Sequence, residues 1–190
     1  MSNLNGTMKN FTNRSIDNFN YIGKINIKEL KENIMAISDS EWEDFDWRQK
    51  TFNVHKTTQT IPLIYDKDFR ENDLTYWKHY SITKTFLNEL ENKFKKTISD
   101  GYIVRAILVK LKANTSILPH TDNLTTLDKN NRFHIPVITN KKVLFTVGDE
   151  VKNLKEGEVW EINNGKKLHS VANNSDKDRV HIIVDWIKYD

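Results

Sequence analysis

The chain has 190 residues, 37% of them hydrophobic and 29% charged, and carries a net charge of +3 from 29 basic and 26 acidic side chains. That length supports one domain with a real core, and interspersed charges without a long basic run exclude nucleic acid as an expected partner. The absence of cysteine rules out disulfides, thiolate metal sites and thiol nucleophiles. No apolar stretch nears the roughly 20 residues that span a bilayer, so a cytoplasmic protein with no membrane partner is expected.

Residues 1–20, rich in Asn, Ser and Thr and without an apolar signal core, read as a flexible N-terminal arm. Residues 21–190 read as a single domain, with an α/β layer over 21–100 and a β core over 101–190. Within it, 21–27 is a short strand, and Leu30, Ile34 and Ile37 recur at helical spacing. The stretch 41–47, with Trp42, Phe45 and Trp47, is a loop or a short helix. Residues 51–64 are β-branched and alternating, which favours an extended strand. The clearest helix covers 82–98, with Ile82, Phe86, Leu90, Phe94 and Ile98 on one stripe, Ser81 as its cap and Ser99-Asp100-Gly101 ending it.

After Gly101 the character changes. YIVRAILVKLK, RFHIPVIT, KVLFTV, EVWEIN and RVHIIVDWI are all strand-like. Asn140-Lys141, Gly148-Asp149, Glu156-Gly157 and Asn164-Gly165 punctuate them, and Asn164-Gly165 is a strong hairpin signal. Short strands at close spacing argue for a sandwich or barrel. The fold class is mainly β, a barrel of the cupin or jelly-roll kind with N-terminal helices packed on it.

His120-Thr121-Asp122 lies where a strand opens into a loop, His169 opens the segment HSVAN, and Arg179 opens the last strand. Two imidazoles and one carboxylate can occupy one face of an octahedral ion and leave the other face open, which points to non-haem Fe(II) and oxygen chemistry. A His-x-Asp pair alone arises by chance in about one such sequence in two, and a loop hydrogen-bond pair is the plain alternative. Antiparallel strands can bring His169 beside the pair. Arg179, His181 and Ile183 share a face of the last strand, and an inward arginine needs an anion; with no obvious fixed acid nearby, a ligand carboxylate is a candidate. His79, beside Trp77 and Tyr80, reads as structural. His55 reads as a strand residue without a nameable partner.

The stretches LPHTD, RFHIPV, LKEGEVWEINN, LHSVANNS and DRVHIIVDW, in that order over roughly residues 103–187, resemble the aspartyl/asparaginyl β-hydroxylase family of Fe(II)- and 2-oxoglutarate-dependent dioxygenases. The resemblance implies a double-stranded β-helix with His120, Asp122 and His169 as iron ligands. It implies that Arg179 grips the distal carboxylate of 2-oxoglutarate and that Arg132 and His134 help hold that co-substrate. Trp160 and Asn163 match signature positions read as packing and a turn. Some relatives lack a carboxylate at the position of Asp122, and halogenating members of the wider superfamily leave it empty, so its presence speaks against halogenation. The implied reaction uses O2 and hydroxylates an amino acid, a related small carboxylate or an amino-acid side chain of a peptide, releasing succinate and CO2. In the less similar N-terminal half, Arg48 and His55 are candidates for a substrate carboxylate; a solvated strand is the alternative.

Two other readings stay open. A cupin-like metal-binding protein without oxidative turnover would keep the His-Asp-His set but give Arg179 and Arg132 no task. A zinc hydrolase would need a general base that the sequence does not display.

Overall fold

Val180, Ile182, Val184 and Trp186 alternate along the last strand with Arg179, His181, Ile183 and Asp185, and this period of two sets the architecture. The computed structural model describes residues 16–66, 73–122 and 130–189. In chain order it contains β1 (Phe19–Lys24), α1 (Lys28–Met35), α2 (Asp39–Glu43), α3 (Trp47–Thr51), a 3-10 turn (Asn53–His55) and β2 (Thr58–Ile64). A second 3-10 turn (Lys78–Tyr80), α4 (Lys84–Thr97), β3 (Gly101–Leu111), β4 (Thr115–His120) and β5 (Asn131–Ile138) follow. The chain ends with β6 (Val143–Val147), β7 (Glu150–Lys152), β8 (Glu158–Ile162), β9 (His169–Asn173) and β10 (Arg179–Lys188).

The strands form two antiparallel sheets, ordered β1-β8-β5-β10-β3-β2 and β4-β9-β6-β7. Leu111, Ile117, Phe145, Val171 and Ile162 pack together from both sheets, so the sheets face each other in a jelly-roll core. The far face of the larger sheet buries Phe133, Ile135, Ile182 and Val184 against Leu30 and Ile34 of α1, Trp42 of α2, and Phe86, Leu90 and Phe94 of α4. The fold is therefore mainly β with N-terminal helices on one sheet, as the strand pattern predicts. No helix among the described residues is long and apolar enough to cross a membrane.

Four expectations are corrected. Phe19 and Asn20, placed in the arm, already belong to β1, where Phe19 pairs with Ile162 and lies edge-on to Phe145 at 5.9 Å; residues 1–15 lie outside the described residues. The division near residue 100 does not separate layers, because β1 and β2 form the two edges of the larger sheet. Residues 51–57 are not extended: α3 and the 3-10 turn occupy them, held by Trp47 edge-on to Phe52 at 5.9 Å and by the Arg48–His55 hydrogen bond at 2.9 Å. Local β-branching yields there to tertiary contact.

The fourth correction concerns turns. α4 starts at Lys84 after Thr83, and Ser81 belongs to the preceding turn, where its hydroxyl donates to the Lys78 carbonyl. Asn164-Gly165 is a turn but not a hairpin, since β8 and β9 lie in different sheets. The link crosses the barrel and so delivers His169 opposite the larger sheet. At the Glu156-Gly157 turn, Gly157 has φ +75°, and a Cβ there would sit 2.8 Å from the Ile25 carbonyl, a position only glycine fills without strain.

Candidate metal centre

His120 ends β4 and His169 begins β9, and the two are register partners in the smaller sheet. Their rings lie 4.2 Å apart between centroids. The His120 Nδ1–H donates to the Leu118 carbonyl at 2.8 Å, which leaves Nε2 with its lone pair toward the cavity. Asp122, two residues beyond, places Oδ1 3.7 Å from His120 Nε2 and Oδ2 3.6 Å from His169 Nε2. One ligand atom from each of the three residues lies within 4.8 Å of the others. Nitrogen and carboxylate donors on one side only, with no thiolate, suit a divalent ion such as Fe(II) that keeps open positions.

Asp122 is held from three directions. Its backbone N–H donates to the Asn164 carbonyl at 2.9 Å, the Asn164 side-chain amide donates to Oδ2 at 3.1 Å, and Arg132 donates to the same oxygen. Burial by itself would raise the Asp122 carboxyl, but Arg132, then His169 and His120, outweigh it and hold the group well below the usual carboxylate range. Burial pushes His169 down to about 4 against the pull of Asp122. An ionised Asp122 and a neutral His169 are the protonation states a metal requires.

The described residues bury four arginines, and they divide into two kinds. Arg132 sends Nε and Nη2 to Asp185 at 2.7 and 2.8 Å, and Arg105 donates to the same carboxylate at 3.0 Å. These two are compensated by acids. Arg179 and Arg48 rest on histidines instead. Arg179, 1% exposed, has Nη2 2.5 Å from His181 Nδ1; Arg48 has Nη2 2.9 Å from His55 Nε2. A guanidinium only donates, so each imidazole is the acceptor and carries its own proton on the other nitrogen. Burial, then the positive charge of the partner arginine, holds His181 well below its usual range and His55 down to about 2, so both rings stay neutral. Burial lowers Arg179 to about 9, and burial together with the charge of Arg132 lowers Arg48 to about 10.

Around Arg179 the buried polar atoms are short of partners. Arg179 Nε, His181 Nε2 and His134 Nδ1 make no hydrogen bond among the described residues. Phe145 packs nearby, edge-on to His134 at 4.9 Å and nearly parallel to both His169 and His181 at 6.5 and 6.4 Å. On the other side of the metal centre a cavity of about 420 Å³ is lined by His120, Asp122, Arg132, Arg48 and His55, with Phe52, Val54 and Ile107 among its apolar walls.

The chain matches the aspartyl/asparaginyl beta-hydroxylase family over residues 24–188. It belongs to that family. Among solved structures, it is similar to an oxidoreductase of the 2OG-Fe(II) oxygenase family from Burkholderia pseudomallei, at 15% identity and a TM-score of 0.55, covering 70% of this chain and 67% of that one. The cupin domain of Schizosaccharomyces pombe Cnp3 matches at 10% identity and a TM-score of 0.42, covering 70% and 66%. At 15% identity the likeness to the Burkholderia pseudomallei protein is one of fold.

The family resemblance implies that Arg132 and His134 help hold the co-substrate. In the structure Arg132 spends Nε and Nη2 on Asp185 and donates from Nη1 to Asp122, so its bidentate fork faces acids of the chain itself. His134 lies with His181, ring centroids 5.9 Å apart. Trp160 packs edge-on against Phe19 at 6.1 Å, and the Asn163 side chain bonds the Ile16 and Asp17 carbonyls, a packing and a turn position. Sequence reasoning missed Asn164, Asp185 and Phe145. Asp185 had a signal, since it shares the inward parity of Arg179 and His181 on β10. Asn164 and Phe145 had none, because only the folded register brings them to the site.

Proposed function

We propose that the chain is an Fe(II)- and 2-oxoglutarate-dependent dioxygenase that hydroxylates an amino acid, a related small carboxylate or an amino-acid side chain of a peptide. The observation that carries this reading is Arg179, a buried cation with no acid partner among the described residues, linked through His181 and the parallel Phe145 and His169 rings to a His-Asp-His set that opens on a cavity. A protein that only stored a metal would have no use for that uncompensated charge. Bound together, iron and 2-oxoglutarate supply an oxidant from O2 strong enough to hydroxylate a C–H bond, with release of succinate and CO2.

Each residue then has a role. His120, Asp122 and His169 hold the ion from one side, and Asn164 and Arg132 keep Asp122 aimed and ionised. Arg179 receives the distal carboxylate of the co-substrate, with the His181 Nε2–H and His134 buried beside it as further polar partners. Arg132, anchored by Asp185, orients the metal-binding carboxylate more than it grips the co-substrate. The cavity beside His120 presents substrate to the open positions of the ion.

The test is anaerobic titration of the Fe(II)-loaded protein with 2-oxoglutarate, then exposure to oxygen and a succinate assay. A weak visible charge-transfer band and slow succinate release are expected. A tightly held metal with neither band nor succinate would favour the non-oxidative metal-binding protein instead.

A further inference from the structure

We infer that Arg48 and His55 form a recognition site for the carboxylate of a small aliphatic acid, separate from the anion site at Arg179. The inference deepens the dioxygenase reading, on which it rests for the reaction though not for the binding. Arg48 and His55 are 9% and 7% exposed, and both line the cavity that reaches His120 and Asp122.

The donor inventory defines the ligand. His55 Nε2 accepts from Arg48, so the neutral ring carries its proton on Nδ1. Neither that Nδ1 nor Arg48 Nη1 has a hydrogen-bond partner among the described residues. Two buried N–H donors, one of them charged, and no acceptor between them call for an anion with two acceptor oxygens. The same Arg–His pairing recurs at Arg179 and His181, whereas Arg105 and Arg132 are paired with Asp185. Two cations left for ligands match two carboxylates, one for the co-substrate and one for the substrate.

Size and distance narrow the class. The His55 ring stands edge-on to His120 with centroids 5.4 Å apart, so an acid held by this pair lies about one side chain's reach from the metal centre. A carbon only a few bonds from the carboxylate would then meet the open face. Phe52, Val54 and Ile107 offer that carbon chain an apolar wall. A volume of about 420 Å³ sits near the low end of the roughly 300–1,000 Å³ usual for small-molecule sites. Free short-chain acids, aliphatic amino acids included, fit these limits.

The test is calorimetric titration of the full-length protein, held without oxygen and saturated with Fe(II) and 2-oxoglutarate so that Arg179 is already engaged. The probes are aliphatic L-amino acids and straight-chain acids from propionate to hexanoate, each beside its primary amide, together with a blocked aspartyl peptide. At least one free acid should bind tenfold or more tightly than its amide. Arg48→Gln should erase that preference, and Arg48→Lys should weaken acid binding while keeping part of it. Equal binding of acid and amide by the wild type, or no binding of any acid, overturns the inference without recourse to a variant. A blocked peptide that binds as tightly as the best free acid overturns it too. Failure of the dioxygenase reading is a different result: the wild type makes no succinate, whichever compound is added.

Discussion

Asp122 and Asn164 hold each other twice, the backbone N–H of Asp122 on the Asn164 carbonyl at 2.9 Å and the Asn164 amide on the Asp122 carboxylate at 3.1 Å. The pair ties the end of β4 to the turn after β8, so the Asp122 carboxylate, the candidate metal ligand, is fixed from the other sheet. Groups that orient a ligand in this way are worth about 10–100-fold in metal affinity. Asn164→Ala should therefore weaken Fe(II) binding by about that factor with the fold intact by circular dichroism. A metal isotherm unchanged from wild type would leave the double bond without consequence for the centre.

Arg179 is costly to the empty protein. Replacing a buried cation that lacks an acid among the described residues with an apolar side chain of similar length should stabilise the metal-free fold by about 1 kcal/mol or more. For a domain of this size that is a rise of roughly 2–4 °C in Tm per kcal/mol. Arg179→Met should melt higher than wild type. It should also lose the response to 2-oxoglutarate, which at a hundredfold excess over Kd adds about 2.7 kcal/mol to a protein that binds it. A variant that still gains stability from 2-oxoglutarate would strip Arg179 of its role.

Asp185 serves Arg132 and Arg105 at once and is 1% exposed. Asp185→Asn keeps the shape and removes the charge. The expected loss is about 3–5 kcal/mol, the usual result of breaking a buried ion pair from one side, read as a lower denaturation midpoint in urea. A loss within about 0.5 kcal/mol would mean that the two arginines find other acceptors.

Acid should destabilise the fold early. Burial lowers His55 to about 2 and His169 to about 4, and holds His134 and His181 well below their usual range. Between those values and the ordinary histidine pKa near 6.5, the unfolded chain binds protons that the folded chain refuses. Stability is therefore complete above about pH 6.5 and falls as pH drops below it, by about 1 kcal/mol per pH unit for each such histidine. Urea denaturation of the metal-free protein between pH 7.5 and 5 would show it; a flat profile would place these rings in water.

Much of the candidate metal centre was legible because its residues are local. His120 and Asp122 are two residues apart, and strand alternation alone turns Arg179 and His181 to one face. Arg48 and His55 were legible as residue types but not as a pair, since β-branched neighbours disguised two helical turns as a strand. The partners of Arg132 were not legible. Asp185 lies 53 residues away, and only the antiparallel register of β5 and β10 sets the two side by side. Asn164 looked like hairpin punctuation because dipeptide signals report a turn and not the sheet that the chain enters next.

β10 is also a ruler. Arg179 at one end and Asp185, which anchors Arg132 beside Asp122, are inward residues of the same strand, about 20 Å apart at roughly 3.3 Å per residue. One extra residue between them would invert the alternation and turn Arg179 into the apolar layer of Leu90 and Phe94, with Asp185 left in place. Two extra residues would preserve the parity but slide Arg179 about 7 Å along the strand, away from its present place relative to Asp185. The length of this segment is thus a chemical constant of the protein: a substitution alters one contact, whereas an insertion displaces every contact beyond it.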